Sequence, residues 1–363
     1  MKFKIDKQEF LKQLGHVQSV VAAKSTLPIL SHILIQNNEG KAKINATDLD
    51  IGISCEFPVE TVEDGAISVP AKRFFDIIRE MPEGQLTVVA KKNHQIEVSG
   101  GHCRFKLLGL PFDEFPKFPE FKDKQSVSLQ QPLLKEMFRM TVFAVSHEDS
   151  RYVLNGILVE INGDCIRMVA TDGRRLAKIE KPLQENQMEP IKVILPLKAV
   201  QELQRHLKDD GVVRFVFGAH QVLFEIDGVL IASRLIDGEF PHYEQVIPDP
   251  ISPKIKISTQ DFYGAVRRAH LLSTPDFQAM RLEVFPNKLV VSKSTPDIGE
   301  SREEIPIEYG GKEMVVGFNA VYLLDVLKNI SDETIALELL GPEKPAVLRL
   351  KDYLYLALPV RLG

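Results

Sequence analysis

Apolar and polar positions alternate from the second residue: Phe3 and Ile5 stand between Lys2, Lys4 and Asp6, the period of a half-buried strand. From Asp6 the period lengthens to that of a helix, with Phe10, Leu14 and Val17 on one face and Asp6 placed to cap it. This opening returns twice. Val127 and Leu129 run into Leu134 and Phe138, and Ile255 and Ile257 run into Phe262 and Val266. A second helix is expected in each stretch, in VPAKRFFDII from Val69, LPLKAVQELQ from Leu195 and FNAVYLLDVL from Phe318, where Phe74, Val200 and Leu323 take equivalent places. Each leads through an acidic or glycine-containing turn into alternating runs that predict a β-hairpin, beginning at Leu86, Val212 and Ile335.

The spacing of these copies is regular. The tripeptide Ala46-Thr47-Asp48 recurs at Ala170-Thr171-Asp172, so that Asp172 lies 124 residues after Asp48; Pro196 lies 126 after Pro70, and Phe240-Pro241 lies 125 beyond Phe115-Pro116. A weaker third copy sits at Ser294-Thr295-Pro296-Asp297. Three tandem units then account for all 363 residues. Proline-rich segments from Phe115 and from Ile247 have linker composition, which places the domains at residues 1–124, 125–250 and 251–363. Two helices and several short strands per unit imply an α+β architecture.

Composition narrows the functional classes. The apolar fraction of 44% and charged fraction of 26% are those of a globular protein, and no run approaches the roughly 18 apolar residues of a membrane span or forms a secretory signal. A cytoplasmic protein is expected. Cys55, Cys103 and Cys165 are scattered, which points to small buried hydrophobes rather than a disulfide framework or zinc site. His147-Glu148 opens like a zinc-protease motif, but Arg151 occupies the place of the second histidine. Phosphate-loop, dinucleotide and nucleophile-elbow motifs are absent, and Gly100-Gly101 and Gly310-Gly311 read as turns. No metal, cofactor or catalytic residue is expected. His16 reads as a solvated or helix-facing residue.

The net charge of -5 argues against a uniformly nucleic-acid-coated surface, yet Lys72, Arg73 and Arg79, then Lys198, Arg205 and Lys208, and finally Arg267 and Arg268 fall outside the apolar stripes of their helices. Either these are ordinary solvated faces, or they form one basic surface that meets phosphates without reading bases. The C-terminal residues Leu358, Pro359, Val360 and Leu362 are apolar with little chain left to cover them. They finish an edge strand, pack on a neighbouring domain, or receive a partner.

Motifs through all three units resemble those of the bacterial sliding clamps, the beta subunit of the replicative DNA polymerase III holoenzyme: TLPIL at Thr26, ATDLD at Ala46, VPAKRFFDIIR at Val69, RYVLNG at Arg151, ATDGRRLA at Ala170, DGEFPHY at Asp237, GFNAVYLLDVL at Gly317 and LPVRL at Leu358. The resemblance implies three similar clamp domains per chain. Two chains would form a closed six-domain ring around double-stranded DNA, with helices lining the hole and sheets outside. It implies a non-catalytic processivity factor that receives the replicative polymerase, the clamp loader and repair polymerases through short linear motifs. The partner-peptide pocket carried over from the family comprises Leu154, Thr171, Gly173, Arg174, Arg175, Leu176, Pro241, Val246, Leu356, Leu358, Pro359, Val360 and Arg361. The homodimer interface would place Phe105, Leu107 and Arg104 against Leu271, Leu272, Glu300 and Glu303, and DNA would meet Lys24, Arg73, Arg151 and Tyr152, with Lys198 and Arg205 added on helix position rather than a matched motif. The chain departs from the family's pattern at Arg174, Gln245, Glu148 and Val153, which alters the pocket rim and the DNA-facing loop.

Overall fold

The computed structural model describes residues 1–21, 27–121, 125–183 and 189–362; Lys24 lies outside the described residues. The chain forms two compact units, one of Met1–Lys135 with Lys198–Leu235 and one of Glu136–Leu197 with Ile236–Gly363.

In the first unit the opening strand is Lys2–Asp6, with Phe3 and Ile5 buried, and helix α1 follows over Lys7–Val17. Asp6 caps α1 by accepting from the amides of Gln8 at 2.9 Å and Glu9 at 3.3 Å. Helix α2 (Ala71–Glu80) buries Phe74 and Ile78, and Phe10 of α1 meets the rings of Phe3 and Phe74 edge-on at 5.9 and 5.8 Å. The strands make two antiparallel sheets. A five-stranded sheet runs Glu60–Glu63, Lys2–Asp6, Gln85–Ala90, Gln95–Gly100, Cys103–Leu108. An eight-stranded sheet runs Gln125–Gln130, Val212–Phe217, Gln221–Ile226, Val229–Arg234, Ile51–Pro58, Lys41–Thr47, His32–Asn38, Gly65–Pro70. At its middle, Ile53 faces Ile231 across a seam that joins strands from two of the sequence repeats.

Helices α3 (Gln131–Thr141) and α4 (Leu197–His206) carry the chain across the unit boundaries. The second unit repeats the first unit's plan with α5 (Thr259–His270) and α6 (Ala320–Leu327). Its eight-stranded sheet runs Ile191–Pro196, Gly156–Asn162, Cys165–Thr171, Arg175–Pro182, Tyr353–Ala357, Ala346–Arg349, Thr334–Leu339, Ile255–Ser258. The corresponding seam pairs Leu176 with Leu356. A four-stranded sheet runs Gly299–Pro306, Lys288–Thr295, Ala279–Phe285, Met314–Asn319.

One sequence expectation changes. Of the three cysteines only Cys55 is buried: Cys165 is half-buried, and Cys103 is exposed on an edge strand, since nothing within its sheet lies beyond that strand. His16 takes the helix-facing of its two expected placements: it is half-buried and stacked on His206 of α4 at 5.5 Å with the rings 29° apart.

Candidate functional site

The pocket residues all belong to the second unit, and the segment Ala170-Thr171-Asp172-Gly173-Arg174-Arg175 frames them. Thr171 Oγ1 donates to the Arg175 carbonyl at 2.6 Å and accepts from the Gly173 amide at 3.1 Å. Asp172 Oδ1 accepts from the amides of Arg174 at 2.9 Å and Arg175 at 3.0 Å. These short-range bonds shape the turn locally. Gly173 takes φ +84°, a conformation that favours glycine, and a Cβ there would stand 2.5 Å from Arg151 Nη1, so a larger residue would push the Arg151 side chain aside.

The two arginines of the turn do different work. Arg174 is exposed. Arg175 is 9% exposed; its Nε reaches Asp172 Oδ2 at 3.1 Å, its Nη1 reaches Asp325 Oδ2 at 2.7 Å, and its guanidinium lies 4.7 Å from the centre of the Tyr322 ring. Arg175 therefore holds α6 to the turn, and its hydrogen-bonding capacity faces inward. Tyr322 and Asp325 are site residues that the sequence did not reveal. Their signal was a polar pair at (i, i+3) spacing on an otherwise apolar helix.

Beneath the turn lies a packed floor of Leu154, Leu176, Leu356, Val169, Phe240 and Tyr243. The Tyr243 hydroxyl donates to Glu160 Oε2 at 2.8 Å. Burial pushes the Glu160 carboxyl up, but hydrogen bonds from Tyr243, Lys192 and Arg167 outweigh it and hold the group below the usual carboxylate range. Burial raises the Tyr243 phenol, and its bond to Glu160 adds to that. Above the floor the surface is apolar and open: Val246 is 56% and Leu358 40% exposed, Pro241 is exposed, and Pro359 and Val360 are half-exposed. Arg361 is exposed at the end of this rim.

The C-terminal segment is fixed at two points. The Leu358 amide donates to the Arg174 carbonyl at 2.8 Å, extending the ladder of Tyr353–Ala357, and the Val360 amide donates to the Gly317 carbonyl at 2.8 Å. A Cβ on Gly317 would come within 2.5 Å of the Val360 carbonyl oxygen and 2.9 Å of Leu362. The arrangement offers an apolar rim with a rigid base, a form suited to binding an apolar side chain.

The other candidates separate by partner. Arg73 is exposed on α2 with no ion pair among the described residues. Lys198 pairs with Asp48, Arg205 with buried Glu202 at 3.0 Å, and Arg151 with Glu148 at 3.3 Å while donating to the Asp172 carbonyl at 2.5 Å. Tyr152 is 59% exposed. In the first unit, edge strand Cys103–Leu108 exposes Phe105 and half-exposes Leu107, and Arg104 Nε bonds Glu97 at 2.6 Å. In the second, Leu271 is 79% exposed beside half-exposed Leu272, and edge strand Gly299–Pro306 carries Glu300 and Glu303, the latter bonded to Arg268 Nε at 2.8 Å.

Three family descriptions match the chain in succession: the DNA polymerase III beta subunit N-terminal domain over residues 1–119, its central domain over 128–242 and its C-terminal domain over 244–359. The beta sliding clamp of Salmonella typhimurium is 34% identical, with 100% of both chains covered. Among solved structures, a DNA polymerase sliding clamp from Pseudomonas aeruginosa with ligand superposes with a TM-score of 0.95 at 33% identity, covering 100% of both chains. The Bacillus subtilis DNA polymerase sliding clamp gives 0.96 at 29% identity over the same coverage.

Proposed function

Because the chain belongs to the DNA polymerase III beta-subunit family, the sliding clamps, which are non-catalytic processivity factors, we propose that two copies close into a ring around duplex DNA. The ring tethers the replicative polymerase, the clamp loader and repair polymerases, one at a time, in the cytoplasm. No helix among the described residues is long and apolar enough to cross a membrane. Two exposed edges support closure. Cys103–Leu108 presents Arg104 and Lys106, Gly299–Pro306 presents Glu300, Glu303 and Glu304, and each edge is open to a strand from another copy. Edge against edge, one copy's Phe105 and Leu107 meet the partner copy's counterparts of Leu271 and Leu272. Arg73 and Tyr152 supply sequence-independent contacts to DNA, with Lys198, Arg205 and Arg151 released from their carboxylates as phosphates approach; Lys24, outside the described residues, is a further DNA candidate from the sequence.

The observation that carries the reading is the exposed apolar rim of Pro241, Val246 and Leu358 over a filled core, with its base pinned by Arg175. One leucine or phenylalanine anchor buried there contributes roughly 1.5–3 kcal/mol, which suits partners that exchange. The test loads the protein onto nicked circular and linear DNA with a clamp loader. The ring reading requires retention on the circle and escape from free ends; equal retention on both would sink it. Titration with a short leucine- and phenylalanine-containing peptide of the clamp-binding type tests the pocket separately. Leu176→Ala combined with deletion of residues 358–363 should abolish that signal and leave a dimeric native mass.

A further inference from the structure

The turn that frames the pocket has a twin in the first unit. Thr47 Oγ1 donates to the Ile51 carbonyl at 2.8 Å and accepts from the Leu49 amide at 3.0 Å. Asp48 Oδ1 accepts from the amides of Asp50 at 3.0 Å and Ile51 at 2.8 Å. Leu49 takes φ +81°, close to the +84° of Gly173, and the Arg234 amide donates to the Asp50 carbonyl at 2.9 Å as that of Leu358 does to Arg174. The backbone frame is thus reproduced bond for bond, but its side chains differ in size. Asn45, Gly52 and Ala232 stand 124 residues before Val169, Leu176 and Leu356.

The smaller set leaves a cavity of about 170 Å³, room for one side chain. Phe118 roofs it, with a ring carbon 3.3 Å from where a Cβ of Gly52 would be. Asn45 is 5% exposed in the wall, and its Oδ1 has no hydrogen-bond partner among the described residues. A buried acceptor left in this state is costly unless something donates to it. Lys117 and Arg234, both exposed and without an ion pair among the described residues, flank the mouth, against Asp50 as the one carboxylate of the lining.

We propose that this cavity is a second docking site for a linear peptide, with a side-chain amide (Gln or Asn) as its anchor and acidic flanking residues. The amide N–H donates to Asn45 Oδ1, and the flanks meet Lys117 and Arg234. The choice of a peptide rests on the reading of the twin frame as a peptide pocket. The anchor chemistry is this site's own: where Val169, Leu176 and Leu356 ask for an apolar group, Asn45 asks for a donor.

The probe is the blocked tetrapeptide acetyl-Glu-Gln-Leu-Glu-amide, titrated calorimetrically into the full chain and into a form lacking residues 358–363. Saturable binding of one peptide per chain that survives the deletion is expected. Asn45→Val, which installs the residue of the twin site, should weaken it about tenfold or more with the melting temperature held or raised, since the orphan acceptor is gone. Lys117→Glu with Arg234→Glu should weaken it comparably. Absence of saturable binding, loss of binding on the deletion, indifference to Asn45→Val, or a large drop in melting temperature in that variant would each overturn the proposal. Binding of the leucine- and phenylalanine-containing peptide, which the deletion should abolish and Asn45→Val should not touch, reports on the other pocket independently.

Discussion

At the scale of single residues, adjacent arginines of one turn have opposite environments. Arg174 reaches outward, whereas Arg175 is bound to Asp172 and Asp325 with side-chain exposures of 10%, 17% and 18%. Removing one member of such a buried pair leaves the other charge uncompensated, which costs roughly 3–5 kcal/mol when burial is complete and less at this residual exposure. Asp325→Ala is expected to cost about 2–3 kcal/mol in urea unfolding, by that rule, and to weaken peptide binding through loss of the turn's attachment to α6. Arg174→Ala, by contrast, should leave stability within about 0.5 kcal/mol. His16 gives a residue-scale pH prediction. Burial, then His206, Lys12 and Lys208, push its pKa below the ordinary value, and Glu9 opposes them; Glu202, bonded by Ser19 and Arg205, completes the charged surroundings on α4. The folded state then binds fewer protons at His16 than the unfolded state does in the window below about pH 6.5, so stability rises with pH there and is lost on acidification. His32, also pushed down chiefly by burial, acts in the same sense. Thermal melts between about pH 7.5 and 5.5 should show a smaller loss for His16→Gln than for the parent chain. Parallel losses would exclude the stacked histidine as a source.

At the scale of elements, the C-terminal segment is held by two backbone hydrogen bonds, one to each of two sheets of the second unit. Its bond to Gly317 depends on the missing side chain. Gly317→Val would force a Cβ to within 2.5 Å of the Val360 carbonyl oxygen, displacing Leu358 and Val360 from the rim. Overpacking of this kind costs about 1–3 kcal/mol, and peptide affinity should fall about tenfold or more while the native mass stays dimeric. An unchanged affinity would show that the rim does not depend on this anchorage. The starts of α1, α2, α4 and α6 and the three hairpins were legible in the periodicity, because capping, alternation and turn chemistry are local. The pairing of Ile51–Pro58 with Val229–Arg234, and of Arg175–Pro182 with Tyr353–Ala357, was not, since partners so distant in sequence leave no mark in either strand's own pattern. The repeats suggest where domains begin and end, and the sheets join strands from different repeats. The inward turn of Arg175 was hidden for a similar reason, as its partner Asp325 lies 150 residues away. So was the pairing of Lys198 and Arg205, whose place outside the helix stripe suggested free cations.

At the scale of the whole molecule, the proposed ring closure and DNA contact draw on different forces, and salt should separate them. Of the charged residues at the two edges, Arg104 and Glu303 are already engaged within the chain, with Glu97 and Arg268, and Lys106 and Glu300 have no ion pair among the described residues, whereas the apolar Phe105, Leu108, Phe112 and Leu271 are 42%, 72%, 51% and 79% exposed. Association of two copies then gains chiefly from apolar burial, at about 25 cal/mol per Å², a contribution that ionic screening leaves intact. Leu271→Ala with Leu272→Ala is expected to yield monomers at micromolar concentration, while raising the salt from about 0.05 to 0.5 M should shift the parent dimer's dissociation constant less than about tenfold. Direct DNA affinity behaves otherwise. A body of net charge -5 whose candidate cations are mostly paired neutralises few phosphates, so unloaded protein should bind duplex weakly, with affinity falling on salt in proportion to those few contacts. Arg73→Glu, at the one DNA candidate cation that carries no ion pair among the described residues, should reduce that affinity and its salt dependence. Once loaded on a nicked circle, however, the protein should stay bound through the same salt range, because an enclosed duplex is released by opening an apolar interface rather than by displacing counterions. Native mass, DNA anisotropy and circle retention measured across one salt series test all three at once: retention that decays in step with DNA anisotropy, while the dimer persists, would mean that charge and not enclosure holds the protein on DNA.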